Sequence, residues 1–242
     1  MDLLQEGENM IYVMSDLHGE YDKYKAMLDK IHFSSKDTLY VLGDVIDRGN
    51  QGIKILKDMM MRDNVHPILG NHEYMAACCL VWLKEKITLE SIENLNQKQI
   101  EDLSLWFSNG GYSSLQEFQS LSQDERENVF EYILNFPLYE TVQVNGKTFI
   151  LVHAGLGNFK PTKKLYDYTI DEMTWDRGNP DYTYFDNPHI FVVSGHTPTP
   201  LICGKANIYQ NHQRIFIDCG ASYDKGKLAC LCLETMQEYY VD

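Results

Sequence analysis

The sequence predicts an α/β fold with two stacked mixed β-sheets flanked by helices. Three observations lead to this fold: strands alternate with helices in the first third of the chain, a polar section of helical period follows at about residues 85–136, and short strands then return. No Pro/Gly/Ser-rich or charge-block linker divides the 242 residues. We therefore expect a single domain over residues 1–242 that carries the helical section as an insertion.

Three strand-loop-helix units open the chain. The predicted strands are residues 11–14, 38–42 and 65–69, and the predicted helices are residues 21–31, 53–60 and 74–84. Each strand runs into polar residues, namely Ser15-Asp16, Gly43-Asp44 and Gly70-Asn71-His72-Glu73. Because β-α-β units are right-handed and build parallel sheets, we expect these strand ends to converge at one edge.

The remainder of the chain is first helical and then returns to strands. Ser122 and Glu125 have the spacing of a capping box, and Asn109-Gly110-Gly111 marks a break between helices. Later strands are predicted at residues 138–144, 148–152, 191–194, 214–217, 227–233 and 238–241, with a hairpin turn at Asn145-Gly146. Three of them also end in polar residues, which are His153, His196 and Asp218.

Charge and composition exclude several classes of protein. With 44% hydrophobic residues the chain is globular, and its net charge of −14 opposes binding to nucleic acid or anionic lipid. The most apolar run, Met75–Leu83, is too short to span a membrane, and the N-terminus lacks the basic and apolar regions of a secretory signal. We expect a monomeric cytoplasmic protein without a nucleic-acid or membrane partner.

Cysteine usage supports a reducing compartment. None of the six cysteines belongs to a C-x-x-C pair and all lie in apolar stretches, so we expect buried thiols rather than a zinc–thiolate site. They are Cys78, Cys79, Cys203, Cys219, Cys230 and Cys232.

The polar residues at the strand ends are of the types that bind borderline divalent metals, because they offer carboxylate, imidazole and amide groups. They are Asp16, His18, Asp44, Asn71, His72, His153 and His196. Any one of these histidines could be a hydrogen-bonded structural residue, but their joint occurrence at strand ends favours a metal site. The other histidines lack such surroundings and are expected to be structural or on the surface: His32, His66, His189 and His212.

Five ordered blocks of sequence resemble the signature of the metal-dependent phosphoprotein phosphatases, most of all the small bacterial and bacteriophage serine/threonine phosphatases. The blocks are Ser15-Asp16-Leu17-His18-Gly19, Gly43-Asp44-Val45-Ile46-Asp47-Arg48-Gly49, Gly70-Asn71-His72-Glu73, His153-Ala154-Gly155 and Gly195-His196. Phe107–Gly111, Trp175–Arg177 and Ile217–Gly220 are also similar to that branch. The resemblance implies a four-layer metallophosphoesterase sandwich that hydrolyses phosphomonoesters.

The resemblance also implies two divalent metal ions, Mn²⁺ in vitro with Fe²⁺ or Zn²⁺ as alternatives. One ion would be held by Asp16, His18 and Asp44, and the second by Asn71, His153 and His196, with Asp44 bridging them. Two ions bring four positive charges, and two aspartates with a bridging hydroxide remove three, which leaves a net positive site for an anionic substrate. The hydroxide would attack phosphorus in line.

Catalytic and substrate-binding roles follow from the same resemblance. His72 is expected to be the general acid that protonates the leaving alkoxide, with Asp47 orienting its ring. Arg48 and Arg177 are expected to bind the phosphate together with Asn71, while Glu73 would hydrogen-bond around the ligands. Asp218 is expected to be structural. The substrate would be a phosphorylated protein or peptide.

Two other functions remain open. The symmetrical diadenosine tetraphosphatases resemble the same metal blocks, but they tend to carry Ala where this chain has Asp47 and Asp where it has Glu73. A protein that binds metal without catalysis would be expected to have lost part of the ligand set, and no matched position is lost here.

The chain departs from the family pattern at two places. Ser15 replaces an expected Gly, a change that should leave the ligands intact. We find no equivalent, within Ile217 to Tyr223, of the tyrosine-bearing segment that follows the last metal histidine in the large eukaryotic members. Binding sites for their inhibitors and regulatory subunits are therefore not transferred to this chain.

Overall fold

The computed structural model describes residues 9–83 and 93–242. Three predictions fall outside this part of the chain: the absence of a signal at the N-terminus, the end of the third helix at Lys84, and the start of the helical section at residues 85–92.

Ten strands are described in these residues. They are β1 (Ile11–Met14), β2 (Thr38–Val41), β3 (Val65–Pro67), β4 (Tyr139–Val144), β5 (Lys147–Val152), β6 (Ile190–Ser194), β7 (Tyr209–Asn211), β8 (Arg214–Phe216), β9 (Leu228–Cys232) and β10 (Glu238–Val241). They form two five-stranded sheets, with the orders β10-β9-β1-β2-β3 and β4-β5-β6-β8-β7. Both sheets mix parallel and antiparallel pairs, so the predicted architecture is confirmed.

The two sheets pack face to face because apolar side chains alternate along the strands. Val13 of β1 contacts the second sheet, whereas its neighbours Tyr12 and Met14 belong to the core beneath the helices. In β5, Phe149 and Leu151 point into the layer between the sheets. The carboxyl ends of β1, β2, β5 and β6 therefore meet at one end of this layer, as shown by the contacts between their loops described below.

Eight α-helices cover the sheets in the described residues. They are α1 (Tyr21–Lys30), α2 (Gly52–Met60), α3 (Asn71–Leu83), α4 (Gln97–Ser108), α5 (Tyr112–Gln119), α6 (Gln123–Leu134), α7 (Ile170–Thr174) and α8 (Thr199–Cys203). The helical section supplies α4, α5 and α6, which pack against α2 and α3 through buried side chains such as Trp106, Phe118 and Ile133. The predicted capping box is present at the start of α6, between Ser122 and Glu125.

Several details differ from the sequence prediction. Helix α3 begins at Asn71 rather than Tyr74, so the polar residues after β3 form its first turn. Three short elements, β7, α7 and α8, were not predicted, because the two helices span less than two turns each and the three residues of β7, Tyr-Gln-Asn, carry no apolar pattern. All six thiols are free, but the prediction of burial is wrong for Cys203, which is exposed at the end of α8.

Within the described residues, no helix has the length and apolar character needed to cross a membrane.

The packing between the sheets predicts how substitutions change the free energy of unfolding. Leu151 is 0% exposed in the layer between the sheets, whereas Leu201 on α8 is 77% exposed. We expect Leu151→Ala to lower the free energy of unfolding by about 2–5 kcal/mol, because it removes buried apolar surface and leaves a cavity. Leu201→Ala should change it by less than about 0.5 kcal/mol in the same urea titration. Equal, small effects of the two variants would contradict the packing described.

Candidate metal centre and active site

The site lies where loops from the two sheets touch. The Asp16 carboxylate, after β1, accepts a hydrogen bond from the His196 backbone N–H, after β6, at 3.0 Å. The His153 ring, after β5, donates from Nδ1 to the Leu42 carbonyl oxygen, after β2, at 2.6 Å. Residues separated by more than 100 positions in the sequence are thereby joined at one end of the sandwich, as the convergence of strand ends predicts.

The Asp44 carboxylate lies at the centre of the site, and each of its oxygens faces a different group of imidazoles. Its Oδ2 lies 3.6 Å from His18 Nε2 and 3.7 Å from His72 Nε2. Its Oδ1 lies 3.4 Å from His153 Nε2. Two groups of possible metal ligands therefore share Asp44: His18, Asp44 and His72, and Asp44, His153 and His196.

Hydrogen bonds on one ring nitrogen leave the other free to bind a cation. His18 donates from Nδ1 to the Ile46 carbonyl oxygen at 3.0 Å, and His153 uses Nδ1 in the same way on Leu42. The Nε2 atoms of His18 and His196 are buried and have no hydrogen-bond partner among the described residues. Burial lowers the pKa of His18 to about 3, so this ring is neutral at physiological pH. Neutral imidazole is the form that binds metal.

The second group is completed by an amide. His153 Nε2 lies 2.9 Å from Asn71 Oδ1 and 3.2 Å from His196 Nδ1. Burial and the neighbouring His153 lower the pKa of His196, which keeps this ring neutral as well. Burial alone would raise the pKa of Asp44, but His153, His72 and His18 hold it below its usual range. A carboxylate surrounded by imidazoles and an amide oxygen fits a pair of divalent cations.

Asp16, the remaining predicted ligand, lies beside these two groups rather than within them. Its Oδ2 accepts hydrogen bonds from the Ser15 hydroxyl at 2.5 Å and from the His196 backbone. Its role as a metal ligand stays a prediction. The hydroxyl of Ser15, which stands where a Gly was expected, therefore holds the carboxylate of its neighbour Asp16. The sequence did not reveal this contact.

Glu73 supports the loop that carries Asp44. Its carboxylate accepts hydrogen bonds from the backbone N–H groups of Asp44 and Val45 at 2.8 Å, and from those of Ile46 and Gly70 at 3.3 and 3.2 Å. Helix α3 places the side chain there because Glu73 lies in its first turn. The arrangement agrees with the prediction that Glu73 hydrogen-bonds around the ligands.

His72 forms a close pair with Asp47. Its Nδ1 donates to Asp47 Oδ2 at 2.7 Å, and the same oxygen accepts a hydrogen bond from the Trp106 indole N–H at 2.9 Å. Burial opposes the charged ring, but Asp44 and the hydrogen bond to Asp47 raise the pKa of His72 to about 9. In the metal-free protein His72 is therefore protonated at neutral pH, whereas the other site histidines for which a shift is resolved are neutral.

Arg48 is adjacent to this pair. Its Nη2 lies 3.4 Å from His72 Nε2, and its Nη1 donates to the Tyr223 hydroxyl at 3.2 Å. The guanidinium also lies 5.5 Å from the centre of the Tyr223 ring. A loop between β8 and β9 thus brings Tyr223 to Arg48, a contact that the sequence did not reveal.

Arg177 and Asp218 approach from the other sheet. Arg177 is exposed and donates from Nη1 to the His196 carbonyl oxygen at 3.3 Å, which places its guanidinium beside the second group of ligands. Asp218 is buried and its Oδ1 accepts the Gly220 N–H at 2.8 Å. Burial and the nearby Asp16 raise the pKa of Asp218 well above its usual range. The four remaining histidines, His32, His66, His189 and His212, are exposed, as predicted.

Backbone strain is concentrated at the site. Among the described residues, twelve that are not glycine have positive φ, and half of them belong to the site. They are Asp16, His18, Asp44, Asp47, Arg48 and His196. Such conformations persist only where surrounding contacts hold them, and they occur most often at functional sites.

Titration of His72 tests the charge distribution. Because its pKa is raised from 6.5 to about 9, the charged pair stabilises the metal-free protein fully below about pH 6.5, and this contribution is lost as pH rises through about 9. Asp47→Asn should lower the pKa of His72, since it removes a hydrogen-bonded charge. Histidine NMR signals of metal-free protein followed against pH measure this directly. An unchanged titration in Asp47→Asn would contradict the pairing.

Metal binding should stabilise the fold. Divalent ions that bind the native state alone raise its Tm by mass action. We expect added Mn²⁺ to raise the Tm of metal-free protein, and Asp44→Asn to remove most of that shift because Asp44 is common to both groups. The exposed Asp63 gives the matched control, Asp63→Asn, which should keep the shift. Calorimetry with and without Mn²⁺ checks this, and a full shift in Asp44→Asn would contradict the assignment.

The sequence is similar to those of a known protein phosphatase and a known tetraphosphatase. A serine/threonine-protein phosphatase 2 from Salmonella typhimurium is 27% identical over 175 residues, which cover 69% of this chain and 67% of that protein. A symmetrical bis(5'-nucleosyl)-tetraphosphatase from Acidovorax ebreus is 26% identical over 148 residues, which cover 60% of this chain and 44% of that protein. The chain thus aligns with less than half the length of the second relative.

The fold has a counterpart among solved structures. A crystal structure of a candidate diadenosine tetraphosphatase superposes with a TM-score of 0.64 at 17% identity, over 98% of this chain and 95% of that one. The family model for calcineurin-like phosphoesterases matches residues 10–231, which include every residue of the site. From the two sheets, the shared Asp44 and this match, we conclude that the chain belongs to the calcineurin-like phosphoesterase family, whose members use divalent metals at a binuclear site.

Proposed function

We propose that the chain is a serine/threonine protein phosphatase that hydrolyses phosphomonoesters in phosphorylated proteins or peptides. The observation that carries this proposal is the buried pair of His72 and Asp47, joined at 2.7 Å beside the Arg48 guanidinium. A hydrolase needs such an acid where the leaving group is a strongly basic alkoxide, as it is for phosphoserine and phosphothreonine.

The metal ligands proposed are Asp16, His18 and Asp44 for one ion and Asn71, His153 and His196 for the other, with Asp44 shared. When bound, two divalent ions supply an activated water as nucleophile and neutralise charge on the phosphoryl oxygens. We propose Mn²⁺ for activity in vitro, with Fe²⁺ or Zn²⁺ compatible with the same donor types.

The other residues bind the phosphate and deliver a proton. Arg48 and Arg177 approach the site from the two sheets and present forked N–H donors, which suit two oxygens of one phosphate. Asn71 adds an amide at the same place. His72, protonated and oriented by Asp47, gives its Nε2 proton to the leaving oxygen. Tyr223 holds the Arg48 guanidinium in place through its hydroxyl and ring.

The alternative proposal is a dinucleoside polyphosphate hydrolase that acts on diadenosine tetraphosphate. It is favoured by the likeness to the tetraphosphatase relative and to the solved structure of the same kind. A pyrophosphate leaving group needs little protonation, so the His72–Asp47 pair would have a smaller role in that reaction. The His72–Asp47 pair is therefore the reason to prefer the phosphomonoesterase over the dinucleoside polyphosphate hydrolase.

The cellular setting is part of the proposal. Six free thiols, five of them at least partly buried, are typical of a reducing compartment, and we propose a cytoplasmic location. The charge of −14 supports a substrate recognised through local arginines rather than through a basic surface, and we propose that the chain acts as a monomer.

Parallel assays on two substrates distinguish the two proposed functions. Metal-stripped protein resupplied with Mn²⁺ is incubated with a phosphothreonine peptide and, in parallel, with diadenosine tetraphosphate at equal concentration. We expect phosphate release from the peptide to exceed hydrolysis of the dinucleotide. A preference for the dinucleotide would overturn the protein phosphatase proposal while leaving the metal site in place.

Removal of the acid should affect substrates according to their leaving group. We expect His72→Asn to lower kcat for an alkyl phosphate by about 10²–10⁴-fold, since it removes proton transfer to the leaving oxygen. Its kcat for p-nitrophenyl phosphate should fall much less, because that leaving group departs as a weakly basic anion. His66→Asn, at an exposed histidine of β3, is the matched control. Equal losses on both phosphates would refute the role of His72 as acid.

A further inference from the structure

Trp106 reaches the acid pair from the helical section. The residue lies on α4 and its side chain is 0% exposed. Its indole N–H donates at 2.9 Å to Asp47 Oδ2, the oxygen that also accepts the His72 Nδ1–H. We propose that Trp106 is a positioning residue that fixes the Asp47 carboxylate so that His72 is aimed at the leaving group. This proposal rests on the proposed role of His72 as general acid.

Trp106 is the second of two side-chain donors that hold this carboxylate. Asp47 Oδ1 is buried and has no hydrogen-bond partner within the described part of the chain. Both side-chain donors therefore converge on Oδ2. Without the indole, the Asp47 carboxylate would accept a side-chain hydrogen bond from His72 alone. His72 is the ring that Asp47 is proposed to orient. A carboxylate held by one mobile partner orients that partner poorly.

The backbone around Asp47 is held by the same helical section. The Asp47 N–H donates to the hydroxyl of buried Ser114, on α5, at 2.8 Å. The next N–H, that of Arg48, donates to the Gly110 carbonyl oxygen at 3.1 Å. Asp47 has a φ of 71°, a strained value that these contacts stabilise. The helical section thus fixes Asp47 at its side chain and on both sides of its backbone.

The turn between α4 and α5, at Gly110 and Gly111, leaves space for the Trp106 indole. A Cβ atom at Gly111 would fall 2.4 Å from the indole atoms Cδ1 and Nε1 of Trp106. Gly110 has a φ of 100°, which side chains rarely adopt, and a Cβ there would lie 3.0 Å from the Arg48 side chain. Two consecutive glycines are therefore required for the backbone to contact both Trp106 and Arg48.

The first experiment uses Trp106→Phe, which keeps an aromatic ring and removes the N–H. We expect kcat for an alkyl phosphate to fall about tenfold, the size of effect produced by losing one hydrogen bond to a charged group. The kcat for p-nitrophenyl phosphate should stay within about twofold, since that reaction needs little proton transfer. KM and the Mn²⁺-induced shift in Tm should not change, because the indole N–H donates to Asp47, which is not one of the proposed metal ligands.

Trp82 provides the matched control. Its indole N–H is buried on α3 without a hydrogen-bond partner in the described residues, so Trp82→Phe removes an indole but no hydrogen bond. This variant should lower turnover of both phosphates equally or not at all. A loss in Trp106→Phe that is equal for the two substrates would indicate general disturbance of the fold and would overturn the proposal.

A second readout does not depend on activity or on the folding of Trp106→Phe. In ¹⁵N-labelled metal-free wild-type protein, the Trp106 indole N–H signal should be shifted by its charged acceptor and protected from exchange. Asp47→Asn should move that signal and leave those of Trp82 and Trp175 unchanged. An unmoved Trp106 signal would overturn the proposal.

Failure of the inference can be told apart from failure of the proposed function. If His72→Asn affects both phosphates equally, the acid assignment is wrong and the role of Trp106 is lost with it. If His72→Asn affects the alkyl phosphate alone and Trp106→Phe does not, only the inference about Trp106 is wrong.

Discussion

The site depends on the short backbone segment Leu42–Ile46, which follows β2. Its first and last carbonyl groups accept the Nδ1–H of His153 and His18, which leaves the Nε2 atoms of both rings facing Asp44. The N–H groups of residues 44–46 point the other way and bind the Glu73 carboxylate. One segment therefore sets the tautomers of two histidines and the position of the carboxylate between them. If its conformation changed, histidines from both sheets would lose their orientation together.

One small site keeps two histidines in opposite charge states. His18 is buried against the protein backbone and its pKa falls to about 3, whereas His72 faces two carboxylates and its pKa rises to about 9. Metal binding requires the neutral form and proton donation requires the charged form. Burial outweighs the effect of Asp44 on His18, whereas Asp44 and the hydrogen bond to Asp47 together outweigh burial at His72.

The sequence predicted the parts of the site that are marked by local pattern. Asp44 and His153 each end an apolar strand, and parallel strands carry such residues to one edge. Ser15, Trp106 and Tyr223 could not be assigned in this way, because their contacts depend on packing between distant segments. For Trp106 a signal was present, since two consecutive glycines shortly after a buried aromatic residue indicate close backbone approach. Helices α7 and α8 were missed because each spans less than two turns, and β7 was missed because its three residues, Tyr-Gln-Asn, carry no apolar pattern.

The possible metal ligands and the groups that support Asp47 come from different parts of the structure. The groups that could bind metal end strands of the two sheets or begin α3, whereas the contacts that support Asp47 come from α4, α5 and the turn between them. The groups that could bind cations and the groups that hold Asp47 in place therefore lie on different structural elements. A change in the helical section can alter how well a basic leaving group is protonated without moving a metal ligand. Because phosphomonoesters and pyrophosphates differ mainly in that requirement, the helical section is the part of this fold in which selection between them is expected to act.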